Sequence, residues 1–286
     1  MKNQHSNYLL QLTLATLFIS TSGALGKSID LPTPVVIWWR CFLGALCLYA
    51  FCRYKKVDLK LSSRKDIVAI ILSGLLLGAH WITYFYALKL SNVAIGMLSL
   101  FTFPILTTLL EPFFMKTKFD PIYILLGILV LFGIYLLAPE FNIESTNVKG
   151  ILFGLLSALF FALRNLMSKK LISRYNGTSI MLYQVTVLSI VLAPTLFYLG
   201  TAGIKTEFPY VILLAVVTTA IGHTMLVNSL KHFSVSTASI INSVQPIFGI
   251  IIAFLFLNEI PTMNTYFGGS LILATVLIES VRSRNK

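Results

Sequence analysis

Apolar residues run through this chain in ten stretches, each closed by a short polar turn. They fall at 7–26, 33–53, 67–88, 92–114, 120–139, 149–170, 178–199, 208–230, 235–257 and 264–281. A helix needs roughly 20 apolar residues to cross the hydrocarbon core of a bilayer, so each stretch predicts one crossing. The longest gap, Arg53 to Asp66, is a short basic loop, and no segment remains for a folded aqueous domain. The stretches are about twice as long as the alternating ~10-residue strands of a membrane barrel. Backbone groups in lipid must bond internally. The pattern therefore predicts an all-α membrane protein of ten transmembrane helices.

Composition points the same way. Only 11% of residues are charged and 57% are hydrophobic, where a soluble domain carries about 25% charged residues. The net charge of +12 is read as topology, not as a nucleic-acid footprint, because basic residues collect in cytoplasmic loops. With ten crossings, sixteen basic residues fall on one side, among them Lys55, Lys60, Lys116, Lys118, Lys170, Lys231 and Lys286. Four fall on the other: Lys27, Lys89, Lys149 and Lys205. This asymmetry predicts both termini in the cytoplasm of an inner (plasma) membrane protein. Lys2, an apolar run and then Ser22-Gly23-Ala24 also have the form of a signal peptide. Cys41, Cys47 and Cys52 share one stretch without metal-ligand spacing, so no metal or cofactor is expected.

An internal repeat argues for keeping the first stretch. Displaced by 142 residues, Leu88-Lys89 falls on Leu230-Lys231, Pro104-Ile105 on Pro246-Ile247, Gly127 on Gly269, Lys27 on Lys169 and Phe18 on Phe160. In both halves a tight lysine-containing turn precedes a helix with a near-central proline. Two five-helix units are expected, at 1–142 and 143–286. Five is odd, so the second unit enters the membrane from the opposite side. Such inverted repeats are common in alternating-access carriers, with the solute site near the midplane.

The residues His80 to Leu88, Ser91-Asn92-Val93-Ala94, Pro104 and Leu110-Glu111-Pro112 resemble the drug/metabolite transporter superfamily, in its branch with two EamA domains. So do Asn228-Ser229-Leu230, Ser234 to Ala238, Pro246, Phe256-Leu257-Asn258-Glu259 and Gly268-Gly269 in the second half. The resemblance covers essentially the whole chain. It implies transport of a small organic solute, with metabolite or amino-acid export as the first expectation. It further implies that the first, third and fourth helices of each half are central. Helices five and ten would then lie at the periphery, where a homodimer contact is expected. One departure is that Glu259 has Thr117 as its displaced partner, so Glu259 is given no role beyond an interfacial cap.

Polar groups facing lipid are costly, so intramembrane ionisable residues tend to face a bundle interior. His80 and His223 lie near mid-depth and fall one residue apart under the displacement. Asn242 and Gln245, one turn apart, precede Pro246. Trp81 and Tyr84 flank His80 with an aromatic wall, which suits an amphipathic solute better than a multiply charged phosphate. Arg40 and Arg164 are read either as cavity cations or as side chains snorkelling to an interface. These eight are the expected solute-binding residues. His80, His223 and Glu111 are the coupling candidates, with Glu111 weighed also as a partner for a nearby cation. Trp38 and Trp39 are expected in the interfacial belt. The rival function is a non-transporting scaffold or receptor. An intramembrane enzyme is not expected, because His80 and His223 are too isolated among acids and thiols to form a nucleophile or metal-ligand constellation.

Overall fold

The computed structural model describes residues 2–115, 121–137, 142 and 144–284. Among them the chain is helical throughout, without strands. The helices are α1 (Lys2–Ser28), α2 (Thr33–Tyr54), α3 (Arg64–Leu90), α4 (Val93–Leu100), α5 (Phe103–Met115), α6 (Ile122–Leu137), α7 (Thr146–Ile172), α8 (Gly177–Val191), α9 (Thr195–Leu199) and α10 (Ile204–Leu213). After a π-helical segment, Leu214–His223, come α11 (Thr224–Ser229), α12 (Val235–Asn242), α13 (Gln245–Leu257) and α14 (Met263–Arg284). Six helical stretches are long and apolar enough to cross a membrane: Asn7–Ser28, Thr33–Tyr54, Arg64–Leu90, Val93–Met115, Thr146–Ile172 and Ile204–Ser229. Ile124–Leu137, Gly177–Val191 and Gln245–Leu257 are shorter apolar helices. The chain is a multi-pass membrane protein.

Several expected stretches are not continuous α-helices. The run expected at 178–199 divides into α8 and α9 around Pro194, which lacks an N–H and clashes with the carbonyl one turn earlier. Tightened bonds bridge the break, from Ala193 N to Ile190 O and from Thr195 N to Leu192 O. The run at 92–114 breaks at Phe101-Thr102 into α4 and α5, and that at 235–257 breaks at Ser243-Val244 into α12 and α13. Pro104 and Pro246 each sit in the first turn after a break, where the missing N–H has no intrahelical partner to lose. Both ends of α4 and of α5 recur 142 residues later in α12 and α13. Their entries match too. Asn92 Oδ1 accepts from Ile95 N at 2.8 Å, and Ser234 Oγ accepts from Thr237 N at 3.0 Å.

Small residues set how closely the helices approach. Gly150 and Gly154 on α7 form a G-x-x-x-G pair, a spacing that lets membrane helices touch through their backbones. A side chain on Gly150 would meet Ala87 O at 3.1 Å, and one on Gly154 would meet Ser99 Cβ at 2.5 Å. This seam binds α7 to α3 and α4. Helix α1 occupies the interior, with Leu12, Ala15 and Thr16 almost wholly buried. Helices α6 and α14 pack on each other, and Gly133 would bring a side chain within 3.0 Å of Gly268 O. Their outward residues, such as Ile128, Leu131, Phe132 and Phe267, are exposed and suit lipid.

One loop is tied down by polar contacts. Arg174 Nη1 pairs with Asp66 at 3.0 Å, Tyr175 donates to Asp66 Oδ2 at 2.8 Å, and Tyr183 donates to Leu59 O. These bonds fasten the first turn of α3 to the α7–α8 turn, and the basic loop before it to α8. Lys116 and Lys118 lie outside the described residues, as does Lys286. Trp38 Nε1 donates to Ser189 O on α8 at 2.8 Å, so Trp38 joins two helices as well as meeting the surface.

Candidate functional site

Five of the eight expected binding residues meet at one cavity. His80, Trp81 and Tyr84 come from α3, His223 from the end of the π-helical segment, and Gln245 from the start of α13. Ile19, Ser22, Leu100, Phe101 and Phe161 complete the lining. The i, i+4 spacing of His80 and Tyr84 places them on one face of α3, with ring centroids 6.2 Å apart and nearly parallel planes. The cavity lies at the breaks of α4–α5 and α12–α13, so interrupted helices face it from both halves. It is small, about 10 Å³, close to the space of one water molecule.

His80 is held by Ser157. The Ser157 hydroxyl donates to His80 O at 2.9 Å and lies 2.7 Å from His80 Nδ1. A serine hydroxyl has one proton. Since that proton goes to the carbonyl, Nδ1 donates to Ser157 and Nε2 is the free acceptor. Phe161 stacks on the imidazole at 4.4 Å. Trp81 meets His223 edge-on at 5.2 Å.

Arg40 stands behind Trp81, entirely buried. Its Nε donates to Thr219 Oγ1 at 2.6 Å and its Nη2 to Thr218 Oγ1 at 3.1 Å. The guanidinium carbon lies 3.7 Å over the Trp81 ring, a cation–π arrangement. Both threonines come from the π-helical segment, a geometry that recurs at functional sites. Snorkelling is excluded for Arg40, and equally for Arg164, which is also fully buried. Arg164 does not reach the cavity. It donates to Gln184 Oε1 at 2.6 Å and to Asn165 Oδ1 at 3.1 Å. Gln184 in turn donates to Ser73 and Ser168. Asn242 is likewise outside the lining and accepts from Thr16 Oγ1 at 3.0 Å.

Unpaired polar atoms concentrate here. Among the described residues, seven buried side-chain atoms make no hydrogen bond of normal geometry. Four are Trp81 Nε1, Tyr84 OH, His223 Nδ1 and Arg40 Nη1, although Ser22 stands beside the Tyr84 hydroxyl. Buried polar groups are nearly always satisfied, so the surroundings of this cavity are where hydrogen-bonding capacity remains within the bundle. Larger grooves of about 420 and 680 Å³ lie between α13 and α14 and between α5, α6 and α7, but their walls are almost wholly apolar and face outward.

The carboxylates stand away from the cavity. Glu111, half-buried near the end of α5, lies in the field of Lys169, which is the cation-partner reading. Glu259 Oε2 accepts from Val93 N at 2.7 Å, capping α4 from the end of α13. Asn258, at φ +54°, ends α13 in the left-handed conformation and turns Glu259 toward that contact. Sequence reasoning missed Ser157, Phe161, Ser22 and the paired threonines. Of these only Thr218-Thr219, adjacent in an apolar run, left a visible signal.

The EamA-like transporter family model matches the chain twice, over residues 7–138 and 148–281. The pseudopaline exporter CntI of Pseudomonas aeruginosa is 24% identical over 273 residues, covering 94% of each chain. The S-adenosylmethionine uptake transporter of Rickettsia conorii is 26% identical over 251 residues, covering 85% of this chain and 81% of the relative. An uncharacterised Bacillus subtilis transporter, YxxF, is 23% identical over 99% of this chain and 92% of its own. A solved crystal structure superposes with a TM-score of 0.73 at 17% identity over 98% of both chains, a likeness of fold.

Proposed function

The chain belongs to the EamA-like transporter family and is a transporter of small organic solutes, not an enzyme; from that premise we propose how it works. It carries the solute by alternating access between two inverted five-helix repeats, 1–142 and 143–286, in ten crossings, with both termini in the cytoplasm of the inner membrane. In this reading α4 with α5, α8 with α9, α10 through α11, and α12 with α13 each make one crossing. Support comes from the doubled family match and from the recurrence of broken-helix ends after 142 residues. A five-helix unit must be inverted in its second copy.

The solute binds among His80, Trp81, Tyr84, His223 and Gln245. The observation that carries this reading is the group of unpaired buried polar atoms around their cavity. A space of about 10 Å³ admits no metabolite, so this conformation is closed. Binding requires the halves to part, and the solute then satisfies atoms that the closed form leaves unpaired. His80, oriented by Ser157, offers Nε2 as an acceptor. Tyr84, Trp81 and Gln245 offer donors beside apolar walls, which suits an amphipathic solute. The direction is export, as in the relative named an exporter, and transport is uncoupled or by exchange. The experiment is solute flux in proteoliposomes. Tyr84→Ala and Gln245→Ala lower flux with membrane expression intact. Unchanged flux in variants at all five positions would place the binding surface elsewhere.

A further inference from the structure

Among the described residues, the interior of this bundle holds two fully buried guanidinium groups, and no carboxylate is bonded to either. Arg164 is satisfied by neutral partners, its three nitrogens meeting Gln184 and Asn165 oxygens. Arg40 is not. Its bonds go to Thr218 and Thr219, whose own hydroxyl protons are committed to Leu214 O. Its Nη1 has no partner, and its planar face rests on Trp81. A buried charge is stable only when paired and hydrogen-bonded. A neutral hydroxyl pair and an aromatic face do not replace an anion.

From this arrangement, and resting on the transport reading above, we infer that the transported solute carries a carboxylate and that Arg40 is its counter-ion. Trp81 separates the guanidinium from the cavity that it helps to line. When the cavity opens, a shift of the indole clears the way for the carboxylate to reach the edge of the guanidinium, where Nη1 and Nη2 grip it as a fork. The apolar body of the solute then lies against Phe161 and Tyr84. Arg164, with all its nitrogens engaged, contributes positive potential and no direct contact. One free guanidinium edge fits a single carboxylate better than a multiply charged phosphate.

The chain has three tryptophans, so Trp38→Phe with Trp39→Phe leaves Trp81 as a local fluorescent reporter. Purified protein with this pair is titrated with a matched trio: 3-phenylpropionate, its amide, and 3-phenylpropylamine. The carboxylate is expected to change Trp81 emission saturably at a concentration at least tenfold below the other two. Arg40→Gln removes that preference, and Arg40→Lys keeps part of it. The comparison among ligands needs no variant at Arg40, so a folding defect there leaves the test intact. Equal or tighter binding of the amide or amine overturns the inference, as does a carboxylate preference that survives Arg40→Gln, or no saturable response to any of the three. Flux of a neutral or cationic solute in proteoliposomes would also overturn it while leaving the transport function standing.

Discussion

Lys27 and Lys169, 142 residues apart, make the same pair of hydrogen bonds. Lys27 Nζ donates to Leu88 O and Ser91 O, each at 2.7 Å. Lys169 Nζ donates to Leu230 O at 2.6 Å and Phe233 O at 2.9 Å. Each acceptor is displaced by the same interval as its lysine. A helix end leaves carbonyls without intrahelical partners, and an ammonium has three donors to offer them. Each lysine thus closes the short turn that reverses the chain into a broken helix.

The two lysines should therefore be matched in stability. Hydrogen bonds to charged groups contribute about 1.5–3 kcal/mol each at most, so Lys27→Met or Lys169→Met is expected to destabilise by about 2 kcal/mol. Thermal unfolding in detergent measures both. A large loss in one variant with none in the other would break the correspondence.

How far the sequence disclosed this fold follows from the physics of each signal. The apolar runs are long because lipid is the outer solvent, so the all-helical, membrane-spanning character reads directly, with six stretches of crossing length and other runs divided into shorter helices. Pro104 and Pro246 marked the two broken helices through geometry that proline imposes. The π-helical turn carries no such mark, because its apolar residues also suit an α-helix. Arg40 lies within snorkelling distance of its helix end, and distance along a helix does not reveal that neighbours enclose it on all sides. His80 stood out as an imidazole in an apolar stretch, whereas Ser157, which orients it, is an ordinary small residue until two helices touch.

The glycine seam gives a controlled comparison. Adding a side chain to Gly154 would collide with Ser99, whereas one on Gly127 meets nothing within 4 Å. Gly154→Ala is expected to cost about 1–3 kcal/mol through overpacking. Gly127→Ala should be neutral or stabilising by up to about 1 kcal/mol, from helix propensity alone. Equal effects on thermal stability would mean that α7 does not approach α4 so closely.

Topology is tested by reporter fusions. Those after Lys60, Lys118 and Lys286 should read cytoplasmic, and those after Asn142 and Lys205 external. A cytoplasmic reading at Asn142 would sink the ten-crossing arrangement.

Energy coupling is tested with an imposed pH gradient and the membrane potential clamped. Uncoupled or exchange transport yields no net uphill accumulation. Accumulation that is lost in His80→Gln or His223→Gln would overturn that reading. Loss only in Glu111→Gln would move the proton path away from the histidines.

Glu259 supplies the last prediction. Its carboxylate caps the N-terminus of α4 from the end of α13, with Asn92 and Pro261 bordering the same cleft. Lys27 lies close enough to share its field. A negative charge at a helix N-terminus is favourable through the exposed N–H groups and the helix dipole, so this contact holds the two halves together on one face. Opening toward that face must separate Val93 from Glu259. Glu259→Ala should weaken the closed state, and Glu259→Gln, which keeps an acceptor but loses the charge, should do so less. The measurement replaces Cys41, Cys47 and Cys52 by alanine, introduces Ser22→Cys on the cavity wall, and follows its reaction with an impermeant thiol reagent added outside. Reaction several-fold faster in Glu259→Ala, with Glu259→Gln between it and the parent, is the expected order. Equal rates in all three would separate this contact from the opening of the cavity.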